Sequence, residues 1–469
     1  MKRRVVPSLL CAVVLAVLAH HAIAEEALPV KVQRLHDKAV QVSSGEVYFD
    51  SVLALASQRG LVVIDTGVAP SLTTTYRAKI EEAFGRKDFA YVINTHFHFD
   101  HSDGNMIFPE ATVIASEAAR QKMLEWSQTR DAFVTTQRGR VENWQRLATA
   151  APADSEQRRR AEDLVFLYGR MANDLSQGFT LALPSVTFTD RLTLYLGDMT
   201  VRLVTYGPGN HSGDDIIVHV PELGIVAVGD LFAPRYVQIL FGIGPDVDVA
   251  HKIAVLDEVL AEENSVREVV NGHGDRMTRA EFAARRDYLK AVWRAAQAEK
   301  QTGGTLSGLR ARLPLDGELS FLKNLGIPAD QLAREHERGV ALAWLAANGG
   351  EDAAQVIDAT IGRDGVEAAK AAFQRMLPLR DNRYLIDENA INALGYRLLG
   401  AGRNDAAVAV FEMNVAAFPN SWNVHDSLGE GLAALGQRER AIASYKRSLE
   451  LNPDNASGKT QLERLEQPR

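Results

Sequence analysis

The first 300 residues alternate short apolar runs with segments of helical periodicity. Apolar runs that end at polar residues predict two buried strands, 61–64 and 91–93. Alternating apolar and polar positions predict two hairpins, 192–204 and 215–228. Apolar spacings of three and four predict helices at about 71–84, 249–262 and 278–300, the last opened by a capping box. This mixture predicts an α/β domain over about 25–300.

Strand patterning is lost between residues 115 and 178. Charged and apolar residues recur there at helical spacing, and Trp126, Trp144 and Tyr168 lie among them. We therefore expect a helical insertion at about 115–178 within the α/β domain. Such an insertion would either cover a site as a lid or contribute only packing.

The last third of the chain is helical and ends in an internal repeat. Residues 301–385 are rich in Ala, Leu and Arg and predict a helical linker region. From 386 to 469 several positions recur after 34 residues: Leu394, Gly395, Gly402, Ala407, Phe411 and Pro419 match Leu428, Gly429, Gly436, Ala441, Tyr445 and Pro453. The period resembles the tetratricopeptide repeat. Two repeats should stack on the preceding helices, and they would either bind a protein partner, mediate self-association or cap the other domain.

Composition and charge exclude several classes of protein. The chain has 469 residues, of which 46% are hydrophobic and 24% charged, so it is neither disordered nor fibrous as a whole. With 52 Lys and Arg against 60 Asp and Glu, the net charge is −8. An acidic chain repels phosphate backbones, so we expect no nucleic-acid partner.

The N-terminus has the pattern of a secretory signal peptide. Lys2, Arg3 and Arg4 precede an apolar stretch that ends at Ala22-Ile23-Ala24. We expect cleavage after Ala24, so that 1–24 is the signal and the mature chain is periplasmic or secreted without a membrane span. The alternative is a retained N-terminal anchor. The only cysteine, Cys11, lies in this segment, so a metal in the mature chain must be held by His and carboxylates.

A dense cluster of metal-ligand residues follows the strand 91–93. His96, His98, Asp100 and His101 form the pattern H-x-H-x-D-H at the end of that strand. Two histidines separated by one residue can turn toward one cation, while Asp100 and His101 point to the other side of the loop. One loop can thus supply two neighbouring metal positions, and neither is complete because a catalytic zinc needs about three protein ligands.

Three further residues of ligand type lie at predicted strand ends. His211 lies in the glycine-rich turn between the two hairpins, Asp230 follows an apolar strand, and His273 is flanked by two glycines. Each has an ordinary structural interpretation alone, as a turn or capping residue. Together with the cluster they predict a metal centre.

These motifs resemble the metallo-β-lactamase superfamily in its glyoxalase II and lactonase-like form. The resemblance covers about residues 30–300 and implies an αβ/βα sandwich with two metals at one edge. It implies that His96, His98 and His211 hold the first metal, that Asp100, His101 and His273 hold the second, and that Asp230 bridges both. Asp65 matches the buried aspartate that members of the family carry near the site.

The donor set and the resemblance together predict a hydrolase. Nitrogen and oxygen donors without thiolate suit two Zn²⁺ ions, and iron or manganese would also be accepted. A metal-bound hydroxide would attack the carbonyl of a small ester, thioester, lactone or lactam. Asp100 would be the catalytic residue that orients the hydroxide and carries its proton to the leaving group.

Four other interpretations compete with this one. The family's best-known β-lactamases have cysteine at the position of Asp230 and another class has serine, which weakens the hypothesis of a β-lactamase proper, whereas secretion favours it. Persulfide dioxygenases share the fold and motif but use one iron, held by two histidines and an aspartate. A non-catalytic repeat scaffold is the third alternative, although every expected ligand is present. A nuclease activity, known for some relatives, is disfavoured by the acidic charge.

Overall fold

The computed structural model describes residues 30–44, 50–150, 156–232, 248–261, 266–317, 319–325, 329–380 and 383–467. The predicted signal peptide and its cleavage site lie outside these residues. Within the described residues no helix is both long enough and apolar enough to cross a membrane.

The first sheet has seven strands in sequence order from β1 to β7. Pairing is antiparallel from β1 to β4 and parallel from β4 to β7. The register aligns Ile64 with Ile93 at the ends of β4 and β5, which places Asp65 beside the histidine cluster. The strands are β1 Lys31–His36, β2 Ala39–Ser43, β3 Ser51–Ser57, β4 Gly60–Ile64, β5 Phe89–Ile93, β6 Thr112–Ser116 and β7 Val186–Phe188.

The second sheet has six strands in the order β13-β12-β11-β10-β9-β8. Both predicted hairpins are confirmed, since β8 pairs antiparallel with β9 and β10 pairs antiparallel with β11. The pair β11 and β12 is parallel, so both of its carboxyl ends reach the same edge of the sheet. The strands are β8 Arg191–Tyr195, β9 Thr200–Thr205, β10 Ile216–Val220, β11 Ile225–Ala227, β12 Glu268–Val270 and β13 Met277–Thr278.

The two sheets pack face to face around a shared apolar core. Leu55 and Ile93 of the first sheet and Leu203 and Val218 of the second belong to this core. The outer face of the first sheet is covered by α1 (Pro70–Phe84), and that of the second by α5 (Val249–Ala261) and α6 (Arg279–Gln301). The predicted αβ/βα sandwich is therefore the observed architecture, and the capping box of Thr278 and Glu281 at the start of α6 is confirmed.

A pair of long helices interrupts the first sheet between β6 and β7. They are α3 (Glu117–Ala150) and α4 (Glu156–Ser176), which pack against each other as a hairpin. The helical insertion is thus confirmed with a later start than predicted. Residues 115 and 116 are the last two residues of β6 and do not belong to the helix. They pair in parallel with β7, which follows the insertion in the chain.

The C-terminal third is helical apart from a two-stranded parallel pair, β14 (Glu351–Asp352) and β15 (Tyr384–Leu385). Its first helices share an apolar core with α6 and the second sheet. A separate core joins residues on both sides of position 386, including Phe373 and Phe411. The helices are α7 Leu306–Arg312, α8 Ala329–Asn348, α9 Ala353–Asp364, α10 Val366–Met376, α11 Glu388–Gly400, α12 Asn404–Ala417, α13 Trp422–Ala434, α14 Arg438–Leu451 and α15 Ala456–Glu466.

The helices α11 to α14 recur with the spacing of the sequence repeat. The start of α13 follows that of α11 by 34 residues (422 − 388), and the start of α14 follows that of α12 by 34 (438 − 404). In each pair a glycine of the first helix, Gly395 or Gly429, faces the ring of Phe411 or Tyr445 in the second. Assignment of these helices to the tetratricopeptide family stays a prediction.

Candidate metal centre

The loop after β5 carries four of the predicted metal ligands. A short helix, α2 (Phe99–Ser102), forms directly after His98 and carries Asp100 and His101, and the ring centre of His101 lies 4.1 Å from that of His96. Asn94 holds this loop closed, because its amide nitrogen donates to the carbonyl oxygen of His101 at 2.8 Å and to Oδ1 of Asn105 at 2.9 Å. The loop conformation is therefore fixed by its own buried amides.

The other three predicted ligands come from the second sheet. His211 lies between β9 and β10, Asp230 follows β11, and His273 follows β12. The backbone N–H of Gly272 donates to the carbonyl oxygen of Gly229 at 2.8 Å, which keeps the segments of Asp230 and His273 side by side. Both sheets therefore present ligand-type side chains at one edge of the sandwich.

Three histidines and Asp230 form the first group of donor atoms. Nδ1 of His98 lies 2.9 Å from Nε2 of His96 and 3.2 Å from Nε2 of His211. Oδ2 of Asp230 lies 3.9 Å from Nε2 of His96 and 3.7 Å from Nε2 of His211. Ring nitrogens gathered this closely around one point have the arrangement that a single cation requires.

Asp100, His101 and His273 form the second group. Oδ2 of Asp100 lies 3.8 Å from Nε2 of His101 and 3.3 Å from Nε2 of His273. Asp230 reaches this group as well, with Oδ1 3.5 Å from Nε2 of His101 and Oδ2 3.2 Å from Nε2 of His273. The carboxylate of Asp230 therefore lies between the two groups.

The donors fit a pair of divalent cations. Nε2 of His101 and Oδ1 of Asp230 are buried, and they lie 3.5 Å apart without forming a hydrogen bond with each other or with another described residue. A cation bound by both atoms would satisfy them. A Cβ at Gly272 would overlap Oδ1 of Asp230 and the ring of His101, so only glycine leaves this space open. Nitrogen and oxygen donors suit zinc, iron or manganese.

The histidines of the first group have the protonation state that a cation requires. Burial lowers the pKa values of His96, His98 and His211, so all three imidazoles are neutral at pH 7. A neutral imidazole keeps one nitrogen lone pair available for a metal. These rings can therefore bind a cation without first losing a proton.

The second group is charged in the ion-free protein. Burial acts to lower the pKa of His273, but the carboxylates of Asp230 and Asp100 raise it to about 10. Burial likewise opposes a charge on His101, whose pKa is held well above its usual range by Asp230, Asp65 and Asp100. The same pairings hold the pKa of Asp230 well below its usual range against the effect of burial. A cation entering this group would replace protons on imidazole.

Asp65 orients both the loop and one of its histidines. Its Oδ1 accepts from the backbone N–H of Thr95 at 2.7 Å, and Oδ2 accepts from Oγ1 of Thr95 at 2.8 Å. Nδ1 of His101 lies 2.9 Å from Oδ2, so the ring donates there and leaves Nε2 for a cation. Asp65 has φ 59°, a left-handed conformation uncommon for residues other than glycine.

Three positioning residues were not predicted from the sequence. Oδ2 of Asp215 accepts the backbone N–H groups of His211, Ser212 and Gly213 at 3.1, 2.9 and 3.0 Å, which shapes the His211 turn. An aspartate after Ser and Gly is a turn signal that could have indicated this role. Thr95 and the fully buried Lys252 have no comparable local signal. Burial lowers the pKa of Lys252 to about 8, and the charge of Lys252 faces Asp215 and Asp230.

Comparisons with known proteins agree with this architecture. A model of the metallo-beta-lactamase superfamily matches residues 47–264. The metallo-beta-lactamase type 2 of Bacteroides fragilis is 35% identical over 106 residues, which are 23% of this chain and 42% of the relative. The chain thus spans less than half the length of this curated relative.

Two solved structures align with the chain, and the second of them resembles it at the level of the fold. A metallo-beta-lactamase from Pontibacter korlensis covers 56% of this chain and 99% of its own, with 18% identity and a TM-score of 0.39. The stereoselective inverting sec-alkylsulfatase from Pseudomonas sp. covers 94% of this chain and 66% of its own, with 14% identity and a TM-score of 0.51. Together with the sandwich and its edge of histidines and aspartates, the match over 47–264 shows that the chain contains a metallo-beta-lactamase superfamily domain.

Proposed function

We propose that this protein is a metal-dependent hydrolase that uses two Zn²⁺ ions to cleave the acyl bond of a small ester, thioester, lactone or lactam. One observation carries the proposal: seven nitrogen- and oxygen-bearing side chains converge in two groups, and Asp230 lies between them. Members of the superfamily that the matched domain represents are metal-dependent hydrolases. The expected signal peptide would direct the enzyme to the periplasm or out of the cell.

Each of the two groups of side chains would hold one metal ion. His96, His98 and His211 would hold one ion, whereas Asp100, His101 and His273 would hold the other, and Asp230 would contact both. When bound, such ions lower the pKa of a water from 15.7 to about 7 and polarise the bond that is cleaved. The turn stabilised by Asp215 and the loop held by Asn94 keep these donors in place before substrate arrives.

Asp100 would handle the proton of the attacking water. Burial acts to raise the pKa of Asp100, but His101 and His273 hold it well below its usual range, so the carboxylate is ionised at neutral pH. Such a carboxylate can accept a hydrogen bond from the water and orient it, and because a low pKa makes it a weak base it would hold the proton only in passing. It would then release that proton to the oxygen, sulfur or nitrogen that leaves as the acyl bond breaks.

The geometry favours this proposal over two of the alternatives. A mononuclear iron dioxygenase would need only one complete set of donors, whereas the second group, Asp100, His101 and His273, is also gathered within binding distance. A repeat scaffold without catalysis gives no reason for seven ligand-type side chains to gather at one edge of the sandwich. A β-lactamase proper is an outcome of the substrate test.

The test combines metal analysis with a substrate panel. We expect about two ions per chain and hydrolysis of at least one compound in a panel of esters, thioesters, lactones and β-lactams. A secondary alkyl sulfate is included because the structure that aligns with 94% of the chain is a sec-alkylsulfatase. One iron per chain with persulfide-dependent oxygen uptake would contradict the hydrolase.

The double variant His96→Ala and His98→Ala tests the role of the cluster. We expect it to abolish hydrolysis and lower the metal content, because it removes two of the three imidazoles of the first group. His36→Ala, in β1, is the control and should keep both properties. Full activity in the double variant would end the metal-dependent mechanism.

A further inference from the structure

The insertion helix α3 contacts the metal loop near its N-terminus and the C-terminal helices farther along. It is continuous over 34 residues, from Glu117 to Ala150. At about 1.5 Å per residue, Lys122 and Arg146 lie about 36 Å apart along this helix. A single regular helix therefore joins two distant parts of the molecule.

Near its start, α3 is tied to the loops that carry the histidines. Nζ of Lys122 lies 3.2 Å from Oδ1 of Asp214 and also donates to the carbonyl oxygen of Ser212, next to His211. Oδ2 of the same Asp214 accepts the backbone N–H of Phe97 at 2.8 Å, and Phe97 stands between His96 and His98. The ammonium of Lys122 lies 5.3 Å from the centre of the Phe97 ring. Movement of α3 would therefore move the backbone that aims three imidazoles.

Farther along, α3 rests on α11 and α13. Gly139 approaches Gly400 so closely that a Cβ at position 139 would overlap the carbonyl oxygen of Gly400. Glycine in a helix interior costs about 1 kcal/mol relative to alanine, and here it allows the two backbones to touch. Arg146 adds an ion pair, with NH1 3.4 Å from Oε1 of Glu430 in α13. Oε2 of Glu430 accepts from the hydroxyl of Tyr396 in α11 at 3.0 Å, which fixes the carboxylate.

We propose that α11 and α13 act as an internal docking surface for α3, and that this contact positions the metal loops. The C-terminal helices would thereby set the catalytic rate without touching substrate, with Gly139, Arg146 and Glu430 as positioning residues. The effect on rate rests on the proposed hydrolase, whereas the docking itself does not.

Glycines with different surroundings provide matched variants. Gly139→Ala should separate α3 from α11, because the new methyl group meets the backbone of Gly400. Gly169→Ala in α4 is the control, since the nearest described atom to its Cβ would be Cγ2 of Val141 at 4.0 Å. Both substitutions raise helix propensity equally, so they differ only in the contact.

Amide hydrogen exchange reads out the docking without substrate. In Gly139→Ala we expect faster exchange in 136–150 and 388–400 and in the His211 turn, 207–215, while the control Gly169→Ala matches the parent protein in these segments. Unchanged exchange in 136–150 would overturn the docking surface. Faster exchange there with an unchanged 207–215 would overturn the link to the metal loops. These exchange rates can be measured even if no substrate in the panel is hydrolysed. Such a failure would contradict the proposed function and would leave the docking surface unaffected.

Kinetics and a charge exchange test the positioning role. In Gly139→Ala we expect kcat to fall about fivefold with KM and metal content unchanged. Arg146→Glu and Glu430→Arg should each lower kcat about twofold, and the double variant should recover it because the ion pair is restored in reverse. A double variant no better than either single one, or a Gly139→Ala protein with parental kcat, would contradict the proposal.

Discussion

At the scale of single residues, the carboxylate of Asp65 determines which nitrogen of His101 faces the site. It accepts from the backbone and hydroxyl of Thr95 and from Nδ1 of His101. Because Nδ1 keeps its proton for Asp65, Nε2 is the nitrogen that can give up its own proton to a cation where the second group of donors converges. A residue that binds no ion itself therefore controls whether one of the ligands can.

Asp65→Asn should weaken metal binding at the second position by about 10- to 100-fold. The asparagine amide would donate to Nδ1 of His101 and force the proton onto Nε2, which can then no longer bind a cation. The left-handed backbone at this position suits asparagine, so the fold should be retained. Metal titration followed by elemental analysis measures the effect, with Asp131→Asn, whose side chain is 99% exposed, as the control. Parental affinity in Asp65→Asn would refute this role.

The seven candidate ligands could be predicted from the sequence because each lies in a dense or glycine-flanked motif. Lys252 and Thr95 could not, since their roles arise from contacts with residues distant in the chain. Lys252 looks like an ordinary polar position of α5, yet its side chain is fully buried and faces Asp215 and Asp230. Burial of a charge is a tertiary property that local pattern does not encode.

At the scale of elements, strand ends determine where the chemistry lies. The parallel pairs β4–β5 and β11–β12 end at one edge, and the residues that follow each strand are Asp65, Asn94, Val228 and Asn271. Apolar runs and alternation predicted these strands correctly. The start of the insertion was predicted two residues early, because β6 is stabilised by pairing with β7 across some 70 residues of chain.

Lys122→Met tests how α3 is fastened to the metal loop. It removes the cation that faces the buried Asp214, whose pKa is already raised by burial. We expect the free energy of unfolding to fall by about 2 kcal/mol, since a buried carboxylate loses a charged hydrogen-bond partner. Urea denaturation measures this change. Lys79→Met, which removes an exposed pair with Glu82 in α1, should change stability by less than about 0.5 kcal/mol, and equal losses in both variants would contradict the assignment.

At the scale of the whole molecule, the metal site binds protons when no ion is present, and an incoming metal ion must displace them. The raised pKa values of His101 and His273 mean that both rings are protonated at pH 7 without metal. A proton on either ring competes with the cation, so metal affinity should rise with pH up to about pH 10, where His273 loses its proton unaided.

Adding Zn²⁺ to metal-free protein at pH 7 should therefore release about two protons per chain from these rings. Calorimetry in buffers of different ionisation enthalpy counts them. His273→Ala should release about one proton fewer, whereas His425→Ala, in α13, should match the parent protein. Release independent of His273 would show that its ring is not the proton donor.

The fold class and the candidate site could be predicted from the sequence, whereas the contacts between distant parts of the molecule could not. Binary pattern and ligand spacing predicted the sandwich, the insertion and the helical C-terminal region. The approach of Gly139 to Gly400 gave no signal, because a single glycine within a helix is uninformative until its neighbour is known.

Each group of donor atoms draws on both halves of the sandwich. His96 and His98 follow the first sheet, whereas His211 and Asp230 belong to the second, and Asp100 and His101 likewise meet His273 across the divide. A half-folded chain therefore offers two donors at most to either ion from its first half, too few for tight capture. Tight binding therefore needs both halves of the sandwich in place, so the compartment in which the chain folds would decide which metal it carries.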